Sequence, residues 1–352
     1  MQSANRKEEI MYALVKDYIE NNSAISSSAL VKKTNLNISS ATMRNELALL
    51  EEEGYVQNLH TSSGRIPTDK GYRYFVDKLM NSVAISTKER TFLHGSINEM
   101  SSSICSILSH TACILAELSQ SPVIVVTENY RKNIIKFIQL VLLNVHQVMV
   151  VILNNYGENF EEIVSIEEID ITQIELNKIT EYLNNIYKDS PVEDIEDMLS
   201  ENKQKVMHLF SAYEQILNKV RSAIKKSAKK LSSRNAIVEN KNMLLSIPEF
   251  QEIETLKKIN SIIEDESKLL SVFDQFDNLK GNDRKVQTRI GAEHFLEELS
   301  DTSLIYSDVN LEGECFANIG ILGPTRMRYE KNFSRMSYIT DLLKEKIHNL
   351  FM

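Results

Sequence analysis

The sequence predicts an α+β, multidomain protein that opens with an N-terminal winged helix-turn-helix. Three observations carry this. Residues 1–80 read as helix, helix, helix and hairpin, and hold 10 Lys/Arg against 10 Asp/Glu, so the rest of the chain carries the whole net charge of −9. Short β-branched runs at 123–127, 134–143, 147–153 and 317–322 are separated by helical stretches. The length of 352 residues suits two or three domains.

In chain order, residues 6–21 set Ile10, Leu14, Tyr18 and Ile19 on one helical face. A short helix then starts behind a serine N-cap in SAISSSALVKKTNL. A third helix begins after Ser39 and stops at Gly54, with Ile38 and Met43 spaced as a hydrophobic staple. YVQNL and RIPT flank a Ser62-Ser63-Gly64 turn and form a hairpin. Residues 81–119 return to helical periodicity after a serine-rich start.

The segment 134–153, IIKFIQLVLLNVHQVMVVIL, has nearly the length of a membrane span. Lys136, Gln139, Asn144, His146 and Gln147 interrupt it, and it divides into two β-branched runs, so it reads as a hairpin in a core. Residues 158–201 carry 14 acidic and 2 basic side chains, and residues 203–234 carry 9 basic and 1 acidic. Both halves show helical spacing and read as solvated helices of complementary charge; a phosphate-facing helix at 203–234 is the other reading. FANIGILG is a buried strand that ends in a Gly-Pro turn, and the last 24 residues form a closing helix.

Several classes are excluded. Net charge −9 rules out a polybasic nucleic-acid coat. Three cysteines without a CxxC pair make neither a disulfide framework nor a structural zinc site and read as reduced thiols. The N-terminus lacks an apolar signal region. No HExxH, GxSxG or GxxxxGK[ST] spacing occurs, so no enzyme, cofactor or metal is expected. GILGPTR is a strand-end turn rather than a phosphate cradle.

The third helix is where the chemistry points to function. Met43, Leu47 and Leu50 share one face and pack inward, while Ala41, Thr42, Arg44, Asn45 and Ala48 share the opposite face. Small residues permit close approach to a major groove. The hydroxyls of Ser40 and Thr42 reach phosphates, and Arg44 or Asn45 pairs with guanine or adenine edges. The wing adds His60, Ser62, Ser63, Gly64 and Arg65: a glycine tip for close backbone approach, followed by a cation.

The run SSATMRNELALLEEEGYVQNLHTSSGRIPTDKGYRYFVDKL resembles the heat-inducible transcription repressors of the HrcA family. ANIGILGPTRMRYEK resembles that family's closing segment, and NMLLSIPEF and VQTRIGAEH are similar to further landmarks. Leu59 stands where the family usually has proline, Ser63 where alanine is usual, and Met43 where a β-branched residue is usual. The resemblance implies a GAF-like α/β domain interrupted by an inserted, mainly helical dimerising domain. The expected division is 1–82 winged helix, 83–154 first GAF-like part, 155–235 insert and 236–352 second GAF-like part. Strands at 123–153 and 317–322 are expected to share one sheet.

The resemblance also implies a cytoplasmic homodimer, without membrane contact, that binds an inverted-repeat operator in double-stranded DNA. The operons it implies encode GroE- and DnaK-type chaperones, and it implies that the GroE chaperonin keeps the repressor competent. Two other functions fit a winged helix. One is a metabolite-responsive transcription regulator, which a thermal-shift screen distinguishes. The other is a protein-interaction module, which a gel shift distinguishes.

Overall fold

The structure is a computed structural model, and it describes residues 2–58, 64–81, 83–100, 103–128, 133–166, 171–210, 213–277, 285–311 and 314–351. The N-terminal unit starts with α1 (Gln2–Asn21), whose Ile10, Leu14 and Ile19 are buried as their spacing predicts. After the short strand β1 (Ile25–Ser26), α2 (Ser27–Lys33) starts where the Ser26 hydroxyl accepts the Ala29 N–H. α3 (Ser40–Glu52) leads into β2 (Val56–Asn58) and β3 (Gly64–Pro67). These strands form an antiparallel sheet in the order β1-β3-β2. Then α4 (Asp69–Tyr74) widens into a π-helical turn at Phe75–Leu79, and α5 (Thr87–Asn98) and α6 (Ile104–Ser119) follow.

After β4 (Val123–Thr127) the chain departs on a long excursion. Three strands, β5 (Ile135–Asn144), β6 (Gln147–Asn154) and β7 (Asn159–Ser165), form their own antiparallel sheet. Four helices follow: α7 (Gln173–Tyr187), α8 (Ile195–Glu201), α9 (Lys203–Leu209) and α10 (Glu214–Leu231). The chain then returns as β8 (Asn235–Glu239), which pairs with β4. Thr127 lies directly opposite Asn235, so the excursion leaves and re-enters at neighbouring points. A segment whose two ends meet in this way can be inserted without disturbing its host sheet.

The chain continues through α11 (Ile253–Ile263), α12 (Glu266–Asp277), β9 (Val286–Ile290), β10 (Thr302–Leu311), β11 (Glu314–Pro324) and α13 (Tyr329–Phe351). The central sheet is antiparallel, in the order β8-β4-β11-β10-β9. Val123, Val125, Ile305 and Ile319 face the core shared with α6, α13 and the N-terminal unit. Ile124, Val126, Leu304 and Leu322 face the core built with α11 and α12. Covering both faces explains why VIVVT is apolar at four of its five positions.

Two expectations are corrected here. The hairpin at 134–153 forms as a hairpin but lies in the second sheet, so it does not share one with 317–322. Its buried side chains Ile138, Leu140, Val148 and Val150 pack with α7 and α10 in a separate core. The excursion from the central sheet therefore spans the chain between Thr127 and Asn235, and a boundary at 155 divides its sheet. The acidic half, read as helical throughout, begins with strand β7, so the insert carries a sheet as well as helices. The misreading has a physical source. Both strand sets are β-branched runs, and composition does not record which core a strand joins.

The insert's sheet is finished by polar side chains of α7. Thr180, Asn184 and Gln173 accept the N–H groups of Leu140, Ile138 and Leu142 along the outer edge of β5. An open strand edge is thereby blocked. The opposite charges of the insert do meet, with Lys226 pairing with Glu162 and Lys225 with Glu196. Among the described residues no helix is long and apolar enough to cross a membrane.

Candidate nucleic-acid interface

The Ser39 hydroxyl accepts the Thr42 N–H at 3.1 Å and fixes the start of α3. Met43, Leu47 and Leu50 are buried against α1 and α2, which sets the rotation of the helix about its axis. Ala41, Arg44, Asn45 and Ala48 are exposed as predicted, and Thr42 is half-buried. Arg44 has no ion-pair partner among the described residues. Its cation is therefore available near the N-terminal end of α3, the end that meets base edges in helix-turn-helix proteins. Leu49, 54 % exposed, also faces outward and is an apolar side chain that the sequence reading did not single out. Its place between the buried Leu47 and Leu50 made it look like core.

The other end of α3 is acidic, and two of its carboxylates are paired while Glu52 is exposed. Glu51 pairs with Arg65 at 2.8 Å, Glu53 pairs with Lys7, and Lys70 donates to the Glu53 carbonyl. Arg6 holds Glu46 at 2.9 Å and fixes α1 to α3. Only the N-terminal part of the helix thus offers an unpaired cation to an anionic partner.

Three wing and helix assignments are changed by this geometry. Ser40 shares a 3.1 Å hydrogen bond with the buried Ser27 hydroxyl, so it joins α2 to α3 rather than standing free for phosphate. Gly64 is buried opposite Ser26, and a Cβ there would stand 2.7 Å from the Ala24 Cβ. Its glycine serves the close approach of β3 to the chain before β1, not a phosphate ridge. Arg65 is held by Glu51, so the wing's cation is fastened to α3. His60, Ser62 and Ser63 lie outside the described residues.

The sequence reading also missed a seam. The segments that carried the family resemblance beyond the helix-turn-helix come together where the N-terminal unit meets the central sheet. Arg73 of α4 clasps the Glu293 carboxylate through two nitrogens and donates to the Thr288 carbonyl at 2.7 Å. Asp69 accepts the Ala292 N–H at 3.0 Å. Gly291, at φ +55°, lies so close to that carboxylate that a Cβ would overlap it. Tyr72 stacks obliquely on Tyr329 at 5.9 Å, and Arg326 reaches the Ile19 carbonyl at 3.1 Å while pairing with Glu249. Charged residues placed beside glycine in GYRYF, RIGAEH and GPTRM were the available signal. Spacing along the chain could not show that the three segments converge.

The chain was compared with known proteins. Residues 106–332 match the family described as HrcA protein C terminal domain. A heat-inducible transcription repressor HrcA of Carboxydothermus hydrogenoformans is 32% identical over 344 residues, covering 98% of both chains. One of Clostridium tetani is 32% identical over 345 residues, covering 97% of this chain and 95% of the relative. A crystal structure titled as a hypothetical protein at 2.2 Å resolution superposes with TM-score 0.68 at 21% identity, covering 98% of each chain, which shows a shared fold. The match reaches from the winged helix through the insert to the closing helix, and the chain belongs to the HrcA family of heat-inducible transcription repressors.

Proposed function

We propose that this protein is a homodimeric repressor of heat-shock operons, of the GroE and DnaK chaperone type, that reads an inverted repeat in double-stranded DNA. The observation that carries the reading is the outward face of α3. It is small and polar at Ala41, Asn45 and Ala48, carries one unpaired cation at Arg44, and is held in a fixed rotation by its buried face. The N-terminal half of α3 enters the major groove. Arg65 braces the wing against α3 and contributes to the phosphate contacts through that placement. The relatives are named as transcription repressors, which supports regulation rather than catalysis.

A two-fold operator needs two reading heads about one DNA turn apart. The insert supports the pairing. One face of its sheet is buried under α7 and α10, while the other carries the exposed Phe137 and Ile163 and the half-buried Val141, Met149 and Val151, with Gln139 and Glu161 among them. Ile163 is 56 % exposed on the outer strand. A second copy of this face is the occupant we assign to it. Family membership also supports the GroE chaperonin as a partner and the cytoplasm as the place of action.

The test is a titration of the full chain against an inverted-repeat duplex and a scrambled duplex at fixed salt. The expected result is preference for the repeat, with affinity that falls steeply as salt rises. Equal binding to both duplexes would sink the proposal.

A further inference from the structure

The chain joins the insert to its host at two points, after Thr127 and before Asn235, and these residues face each other in one pair of strands. Two strands side by side make a hinge line, about which the insert could swing while both sheets stay whole. Arg234 ties the line together by pairing with Glu128 at 2.8 Å and with Asp274. A tie on the hinge line has little leverage against a swing.

A third attachment lies away from that line. The turn between β6 and β7 leaves the insert's core and enters the host's. Tyr156 in this turn is 1 % exposed and belongs to the core shared by α6, α13 and the N-terminal unit. Its ring meets Phe316 of β11 edge-on at 5.8 Å and Phe351 of α13 at 6.0 Å. The Tyr156 carbonyl accepts the Ile104 N–H at 3.2 Å, one of the donors that the start of α6 leaves without a helical partner. Beside it the Cys105 thiol donates to Glu158 at 2.8 Å. Burial and that carboxylate push the thiol pKa well above its usual range, so it stays protonated and keeps donating. A cleft of about 460 Å³ is lined by residues of both attachments, Cys105 and Glu158 with Thr127 and Asn235, so dock and hinge stand apart.

The turn is braced in this shape. The buried Asn154 side chain accepts the Tyr156 and Glu158 N–H groups at 3.0 and 2.8 Å, and it donates to Asn133 and to the Glu158 carboxylate at 3.0 Å each. Gly157 takes φ +73°, and a Cβ there would stand 3.3 Å from the Ser103 Cα. A large buried ring on a braced turn is costly to withdraw.

We propose that Tyr156 is a positioning residue: its dock fixes the angle of the insert on the central sheet and thereby selects the spacing of the operator half-sites. The spacing half of this inference rests on the proposed function, in which the insert pairs two subunits and α3 reads. The path from the pairing face to α3 then crosses two joints, the Tyr156 dock and the seam. Both must be rigid for two reading heads to keep one separation.

The test uses the full chain, with Y156A and G157A to release the dock and Y156F to keep the ring. Spin labels replace the exposed Lys178 of α7 and Lys257 of α11, and labelled chain is diluted with unlabelled chain so that each measured pair lies within one subunit. The parent and Y156F should give one narrow distance, and Y156A and G157A a broadened or shifted one. The same variants, unlabelled, are titrated with inverted repeats whose half-sites are moved apart stepwise. The parent should lose about a hundred-fold in affinity when the half-sites are displaced by about half a helical turn, because both heads no longer engage together. Y156A should narrow that gap by about ten-fold or more. Should Y156A fail to fold, G157A, at an exposed turn position, decides. A narrow and unshifted distance in the released variants overturns the dock. A broadened distance with an unchanged spacing profile overturns its role in selection. If the parent binds repeat and scrambled duplexes alike, the proposed function fails and takes the spacing half with it, while the distances still decide the dock.

Discussion

Among the described residues, the outward face of α3 and the outer face of the insert's sheet differ in chemistry. The outward face of α3 offers Ala41, Arg44, Asn45 and Ala48, while the outer face of the insert's sheet offers Phe137, Val141, Met149, Val151 and Ile163, with Gln139 and Glu161 among them. Each is backed by a well-buried partner face: Met43, Leu47 and Leu50 in one case, Ile138, Leu140, Val148 and Val150 in the other. Hydrogen-bonding groups on a rigid helix suit base edges, whose pattern of donors and acceptors is fixed. An apolar patch on a sheet gains only by leaving water, which a like patch on a second copy allows. On the proposed function, reading and pairing fall to different parts of the molecule.

The largest effect should come from the pairing face. Ile163→Asp adds a charge to an exposed position, so the single chain should still fold. Two such faces cannot meet without burying both carboxylates. Light scattering should show a monomer. Affinity for the inverted repeat should fall by about a hundred-fold or more, since the second reading head is no longer linked to the first. A variant that stays dimeric would move the interface elsewhere.

The seam ranks next. His294 lies beside it, and burial, helped by the Arg289 charge, lowers its pKa to about 4 from an ordinary 6.5. The unfolded chain takes up this proton first as pH falls. Stability should therefore be complete above about pH 6.5 and decline by roughly 3 kcal/mol toward pH 4 through this group. His294→Gln should flatten that part of the curve, and an unchanged pH profile in the variant would remove His294 as the cause. Arg73→Ala should cost about 2 kcal/mol in urea melts, because charge-assisted hydrogen bonds to Glu293 and Thr288 are lost. Hydrogen exchange should show α4 opening first.

The smallest effect should be at Tyr72. Its hydroxyl is buried without a partner among the described residues, and burial pushes its pKa far above the usual value. Tyr72→Phe keeps the ring against Tyr329 and removes the unmet group, so stability should rise by up to about 1 kcal/mol in the same melts. A loss of more than that would mean the hydroxyl has a partner in solution.

These comparisons also show what was legible in the sequence. The start of α3 at Ser39, its inward face and its outward face all follow from spacing and capping, because a helix's period fixes which residues share a side. The hairpin at 134–153 was legible as strands because it divides into two β-branched runs interrupted by polar residues. Its sheet was not, because pairing with β7 and packing under α10 are long-range choices. Arg65 was legible as a wing cation, but its tie to Glu51 depends on how β3 lies across α3. The seam was the least legible part. Asp69, Arg73, Gly291, Glu293 and Arg326 become neighbours only when two folded units dock.

The central claim is that α3 reads the operator through Arg44 and Asn45. The most direct test is a competition titration of Arg44→Ala and Asn45→Ala, each with an operator duplex against a scrambled one at fixed salt. A thermal melt accompanies each titration. Loss of a good base contact costs about 1–3 kcal/mol of discrimination. Exposed helix positions usually shift stability by no more than about 0.5 kcal/mol. At least one variant should therefore lose part of its operator preference while melting at the parent's temperature. If both variants keep full preference, or lose it only together with a large fall in melting temperature, α3 is not the reading element.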